Sequence, residues 1–128
     1  MLSFEGETGP YLQYAHARIR SILARSGGEA SAANMARYTL PSNEEGRLAR
    51  ELLAFSDAVD AAASELAPHR ICKQLHRISQ AFGSFYEHCP VLTEDPSLRV
   101  ERISLCTLTG DILQTGLELL GIDAPSRM

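Results

Sequence analysis

Two phenols and a guanidinium stand at i, i+3 and i+7 in the stretch GPYLQYAHARIRS (Gly9–Ser21): Tyr11, Tyr14 and Arg18. At helical spacing they share one face. An unpaired base stacks on an aromatic ring, and its phosphate pairs with an arginine, so this trio has the chemistry to hold a nucleotide. The same tyrosines could instead fill the rim of a helix interface, and spacing alone favours that plainer role. A second cluster, His69, Arg70, Lys73, His76 and Arg77, makes one side of a later helix basic. It suits either a strip for nucleic-acid phosphates or an ordinary solvated face. Four histidines and three cysteines raise the question of a metal, but none shows the paired short spacing of a zinc site. His69 and His76 share a face yet lie about two turns apart, and no metal is expected. No glycine-rich phosphate loop or serine elbow is present. Acidic residues at helix starts read as caps and dipole partners. His16 reads as an orienting or packing residue rather than a catalyst.

Helices must position these groups. Pro10 suits a first helical turn, and Leu12, Ala15, Ile19, Ile22 and Leu23 form an apolar stripe over about 10–24. Residues 1–9 read as an extended lead-in, and 26–41, opened by Ser26-Gly27-Gly28, as a flexible loop. Ser42-Asn43-Glu44-Glu45 is a capping box, opening a helix that carries Leu48, Leu52 and Phe55. Ser56-Asp57 can start a short third helix with Val59, Ala62, Ala63 and Leu66 facing inward. After Pro68, Ile71, Leu75, Ile78, Phe82 and Phe85 step by four, three, four and three, the clearest seam in the chain. That spacing predicts the central helix of a bundle, ended by Pro90. Asp95 and Pro96 are an N-cap and N1 pair for a last long helix. Leu98, Ile103, Cys106, Ile112, Leu113, Leu117 and Leu120 line its buried side, with Gly110 and Gly116 permitting close packing and Gly121 in the C′ role. No stretch alternates like a strand. The expectation is an all-α domain, a bundle of about five helices over 1–128.

A chain of 128 residues can bury a real core. No apolar run approaches a bilayer span, and no signal peptide is visible. Three cysteines without a CxxC read as reduced thiols of a cytoplasmic protein, with Cys72 and Cys106 in the core and Cys89 near a helix end. A net charge of −4 argues against a general nucleic-acid binder. It leaves room for a base-reading module whose phosphate contacts lie partly elsewhere, and predicts weak RNA binding by the domain alone.

Three ordered blocks carry a resemblance. LSFEGETGPYLQYAHARIRSIL, PHRICKQLHRISQAFGSFYEHCPVL and LELLGIDAPSRM resemble the C-terminal anticodon-binding domain of arginyl-tRNA synthetase, a class I synthetase, from Leu2 to Met128. The resemblance implies a helical domain that grips the anticodon stem-loop of an arginine tRNA by stacking and phosphate contacts. It assigns anticodon contacts to Tyr14, Arg18, Tyr86 and Met128, and leaves Tyr11 and Gln13 to packing and support. It gives Arg70, Lys73 and Arg77 a reason to meet tRNA phosphates. The HIGH and KMSKS motifs and the nucleotide-binding fold of the full enzyme are missing from this sequence, so the chain alone is not expected to activate arginine. ATP would belong to a catalytic domain in the parent synthetase, which is the other expected partner, and this domain needs no cofactor or membrane. The chain opens mid-pattern, as an excised piece of a longer synthetase would. A freestanding relative acting as a protein- or RNA-interaction module is the alternative.

Overall fold

In the computed structural model, residues 8–27 and 39–128 are described. Among them are five α-helices and no strand: α1 (Thr8–Arg25), α2 (Asn43–Leu53), α3 (Phe55–Glu65), α4 (His69–His88) and α5 (Pro96–Leu119). The all-helical bundle is as expected. No described helix is long and apolar enough to cross a membrane.

The bundle is built around α4, whose predicted seam of Ile71, Leu75, Ile78, Phe82 and Phe85 is buried throughout. α1 runs beside α4 in the same direction, since the Tyr11 ring meets His76 and Arg18 meets Tyr86. α5 runs opposite to α1. Arg20 reaches Asp111 and Gln114, and Arg99 reaches the carbonyl of Ser26. α2 runs against α4, from the Ser42–Cys89 contact at one end to Glu51–Gln74 at the other. Leu12, Ile19, Leu48, Leu75, Phe85 and Leu117 are fully buried where these faces meet.

The two glycines of α5 are explained by what lies over them. A Cβ at Gly116 would stand 2.5 Å from Leu75 Cδ2, and one at Gly110 would stand 3.2 Å from Ile19 Cγ2. Without side chains at these points α5 seats closely on both α4 and α1. Its ends are finished by the residues expected. Asp95 Oδ1 accepts from Ser97 N at 2.9 Å. At the far end Gly121 takes φ +75°, with its N–H on Glu118 O and Ile122 N–H on Leu117 O, the two bonds of a Schellman motif. That turn sends the tail from Ile122 back toward α1.

Several boundaries and faces differ from expectation. Thr8 and Gly9 belong to α1 rather than to a lead-in, while 1–7 and the 28–38 part of the expected loop lie outside the described residues. Phe55 opens α3 instead of closing α2, because the chain bends at Ala54 and the α2 ladder ends there. Ala63 and Leu66 face solvent. Leu66 takes a left-handed conformation (φ +53°) that caps α3 and turns its side chain out, leaving it 90% exposed. The capping box forms with one change. Glu45 N donates to Ser42 Oγ at 3.1 Å, but the Glu45 carboxylate accepts from the Ser42 hydroxyl at 3.0 Å and from Arg102 at 3.1 Å. Glu45 is fully buried, and Arg102 draws it across to α5.

Cys72, Cys89 and Cys106 are all free and buried. Burial pushes the Cys106 thiol up to about 12, so it stays protonated and behaves as a small apolar side chain. Cys89 caps the end of α4 and touches Ser42 Oγ at 3.2 Å.

Candidate nucleic-acid interface

The exposed side of α1 repeats at i, i+4, i+7 and i+11: Tyr14, Arg18, Ser21 and Arg25. These residues line one hollow of about 350 Å³, closed on its far side by Ser126, Arg127 and Met128. Tyr14 is 62% exposed and Met128 69%, so an aromatic face and a thioether stand open beside three arginines. Arg18 forms the wall between this hollow and Tyr86. Its guanidinium carbon sits 5.2 Å from the Tyr86 ring centroid, at cation–π distance. Phe82 stacks on the same ring, 6.0 Å between centroids with an interplanar angle of 12°. The Tyr86 ring is therefore held in a fixed orientation by two neighbours.

Met128 reaches this place because the tail is tied to α1. Gln13 Nε2 donates to Asp123 O at 2.9 Å. The His16 ring bridges Arg20 and the tail, with Nδ1 2.9 Å from Pro125 O and Nε2 3.2 Å from Arg20 Nε. An arginine Nε–H can only donate, so Nε2 must accept. That leaves the neutral tautomer with its proton on Nδ1, donating to the Pro125 carbonyl. Burial holds the His16 pKa below its ordinary value; the Pro125 bond works against this, and the nearby Arg20 charge adds to it. Arg20 is fixed in turn by Asp111 at 2.9 Å and Gln114 at 3.1 Å on α5. One buried imidazole thus joins α1, α5 and the tail.

Of the sequence-predicted site residues, Tyr14, Arg18 and Met128 line one hollow, with Tyr86 on the other side of Arg18. Tyr11 and Gln13 take the supporting places expected, Tyr11 against the His76 ring at 5.1 Å. Arg70, Lys73 and Arg77 lie elsewhere, on the first half of α4. Lys73 is about 20 Å along the axis from Tyr86 at a rise of about 1.5 Å per residue. Arg70 pairs with Glu65 at 3.0 Å, and Arg77 Nε is 3.4 Å from Glu51 Oε2. Those carboxylates offset part of the strip's charge. Two lining residues were not singled out from sequence, Arg25 and Arg127. The signal for Arg25 was present, because the Tyr11–Arg18 spacing of seven continues from Arg18 to Arg25. Arg127 and the whole His16–Arg20 network depend on a tail more than a hundred residues away, for which spacing offers no signal.

The family model of the DALR anticodon binding domain matches residues 12–128. This chain belongs to the DALR anticodon-binding domain family. The DALR domain is similar to the arginine–tRNA ligase of Frankia casuarinae, with 49% identity over 128 residues, all of this chain and 21% of that protein. It is similar also to the arginine–tRNA ligase of Mannheimia succiniciproducens, with 41% identity over all of this chain and 22% of that protein. Among solved structures it resembles Thermus thermophilus arginyl-tRNA synthetase, with a TM-score of 0.81 and 44% identity across 98% of this chain and 22% of that one. The Plasmodium falciparum arginyl-tRNA synthetase gives a TM-score of 0.81 at 27% identity, over 100% of this chain and 22% of that one. The DALR domain spans about a fifth of the length of the relatives it matches.

Proposed function

We propose that this domain reads the anticodon loop of an arginine tRNA as the recognition part of an arginine–tRNA ligase, binding RNA without making or breaking bonds. The observation that carries the proposal is the convergence of Tyr14, Arg18 and Met128, from opposite ends of the chain, on one open hollow beside Tyr86. Rings and a thioether offer faces to unstacked bases, and arginines offer charge to the backbone between them. The relatives named above are synthetases, which favours this reading over a freestanding interaction module. The partners are then the tRNA anticodon stem-loop and the catalytic body of the synthetase, where ATP and arginine are handled. The domain itself calls for no cofactor or metal. Three buried, unpaired thiols suit a reducing compartment, and the cytoplasm is the location this reading carries. Arg70, Lys73 and Arg77 remain candidates for phosphates of the stem.

The test is binding of an arginine-tRNA anticodon stem-loop at low salt, followed by chemical shifts, with a control in which the central anticodon cytosine is replaced. The expected result is shifts centred on Tyr14, Arg18, Tyr86 and Met128 that weaken in the control. Tyr14→Ala should weaken binding by about 1–3 kcal/mol, the contribution of one stacked base. Because Tyr14 is exposed, the same change should alter stability by no more than about 0.5 kcal/mol. Equal binding of both RNAs, or none, would overturn the proposal.

A further inference from the structure

Arg18 divides the surface into two compartments. On one side is the hollow shared by Tyr14 and Met128. On the other is a second hollow of about 360 Å³ between the end of α1 and the Pro90–Leu92 turn, with Tyr86 in its wall. Both lie within the size range of small-ligand clefts, roughly 300–1,000 Å³. The second is the more apolar. Ile22 and Val91 are buried beneath it, and Leu92, 57% exposed, stands at its edge. The Ser26 hydroxyl there is already committed to Leu23 O at 2.8 Å. Tyr86 cannot swing freely, since Phe82 and Arg18 hold its ring. What this hollow offers is a flat apolar slot with a fixed aromatic wall, which suits a nucleobase and offers little to a metal or a free phosphate. Arg25 lines both hollows.

Resting on the anticodon-loop reading above, we propose that the hollow between α1 and the Pro90–Leu92 turn is a second nucleotide subsite. It takes the loop base adjacent to the one held by Tyr14 and Met128, and Arg25 grips the phosphate that joins the two. Leu92 and Arg25 thereby become binding residues, and Tyr86 serves a different nucleotide from Tyr14. A dinucleotide step is recognised as a unit, because the arginine between the slots fixes their spacing.

The test pairs protein variants with a series of stem-loops, each lacking one base of the loop. Leu92→Ser and Tyr14→Ala change neither charge nor a buried group. Each should weaken binding of the intact stem-loop roughly five- to 150-fold, the equivalent of about 1–3 kcal/mol of stacking. Each should have no effect on the one RNA that already lacks its base. The expected result is that the two variants become silent on two different, neighbouring abasic RNAs. Arg25→Gln should weaken binding of every RNA in the series and lower the slope of log affinity against log salt by about 0.7, one single-strand phosphate. If Leu92→Ser is without effect, or falls silent on the same RNA as Tyr14→Ala, the second subsite is overturned while the Tyr14 result leaves the anticodon reading standing. If the unaltered chain binds none of the stem-loops at low salt, both fall.

Discussion

His16 makes a titration measurable. It is buried and neutral, with Arg20 donating to one ring nitrogen and the other donating to Pro125. A second proton would remove the acceptor that Arg20 needs and place two cations together. The unfolded chain takes up that proton near pH 6.5, the folded chain only at lower pH. The contribution is therefore complete above about pH 6.5 and is lost as the pH falls below it, down to the lowered folded value. His88 works in the opposite sense. Its bond to the Ser84 carbonyl raises its pKa, so its contribution is present below pH 6.5 and fades as the pH rises through the raised value. In a His88→Gln background, denaturant unfolding should thus give stability that declines from pH 7 toward pH 5. The further change His16→Ala should flatten that decline and cost about 1–3 kcal/mol at pH 7, by leaving the Pro125 carbonyl and Arg20 unpaired. At this scale the sequence was legible wherever partners are local. Tyr14, Arg18 and the Ser42 cap follow from spacing, and a packing or orienting role for His16 follows from its place in the helix. Its partner does not, because Pro125 is 109 positions away.

The helices differ in how plainly their sequences specify them. α4 carries its seam in a strict four-three repeat and was legible throughout. The α2–α3 junction was not, because an apolar pattern runs across it and only the bend at Ala54 separates the two helices. Leu66 was misplaced for a related reason. Periodicity assumes the helix continues, and the left-handed cap turns the residue away. The glycines allow a paired test. At Gly116 a methyl group would strike Leu75, which is fully buried and has no free space to move into. Overpacking costs about 1–3 kcal/mol against a helix gain of about 1 kcal/mol, so Gly116→Ala should lower the unfolding midpoint. At Gly83 in α4 a Cβ meets nothing within 4 Å, and Gly83→Ala should raise stability by about 0.4–1 kcal/mol. Gly83 also lines the hollow beneath Tyr11 and Tyr14, so stem-loop affinity measured on the stabilised variant reports whether that hollow contributes.

Across the whole molecule, charge is used in two ways. The net charge is −4, yet Arg18, Arg25 and Arg127 gather around one hollow. RNA binding should therefore be local and salt-sensitive rather than a general attraction. Elsewhere charge serves assembly. Glu45 of α2 is fully buried against Arg102 of α5, whose side chain is 11% exposed. Removing one partner strands a buried charge, so Arg102→Ala should cost about 3–5 kcal/mol. Glu45→Leu combined with Arg102→Met should recover most of that loss, as equilibrium unfolding of the single and double variants would show.

The tie between α1 and the tail also governs when the site can exist. Gln13 and His16 meet Asp123 and Pro125 across 110 and 109 positions of chain. Chain closure over such a span is slow compared with local helix formation, and in a growing polypeptide it must wait until residue 125 has emerged. A nascent domain can therefore form α1 and α4 while still lacking the wall supplied by residues 126–128. Ribosome-bound or prematurely terminated chains are left without the hollow and should not draw tRNA away from complete molecules. Engagement of the RNA thus reports that synthesis of this domain has reached its end.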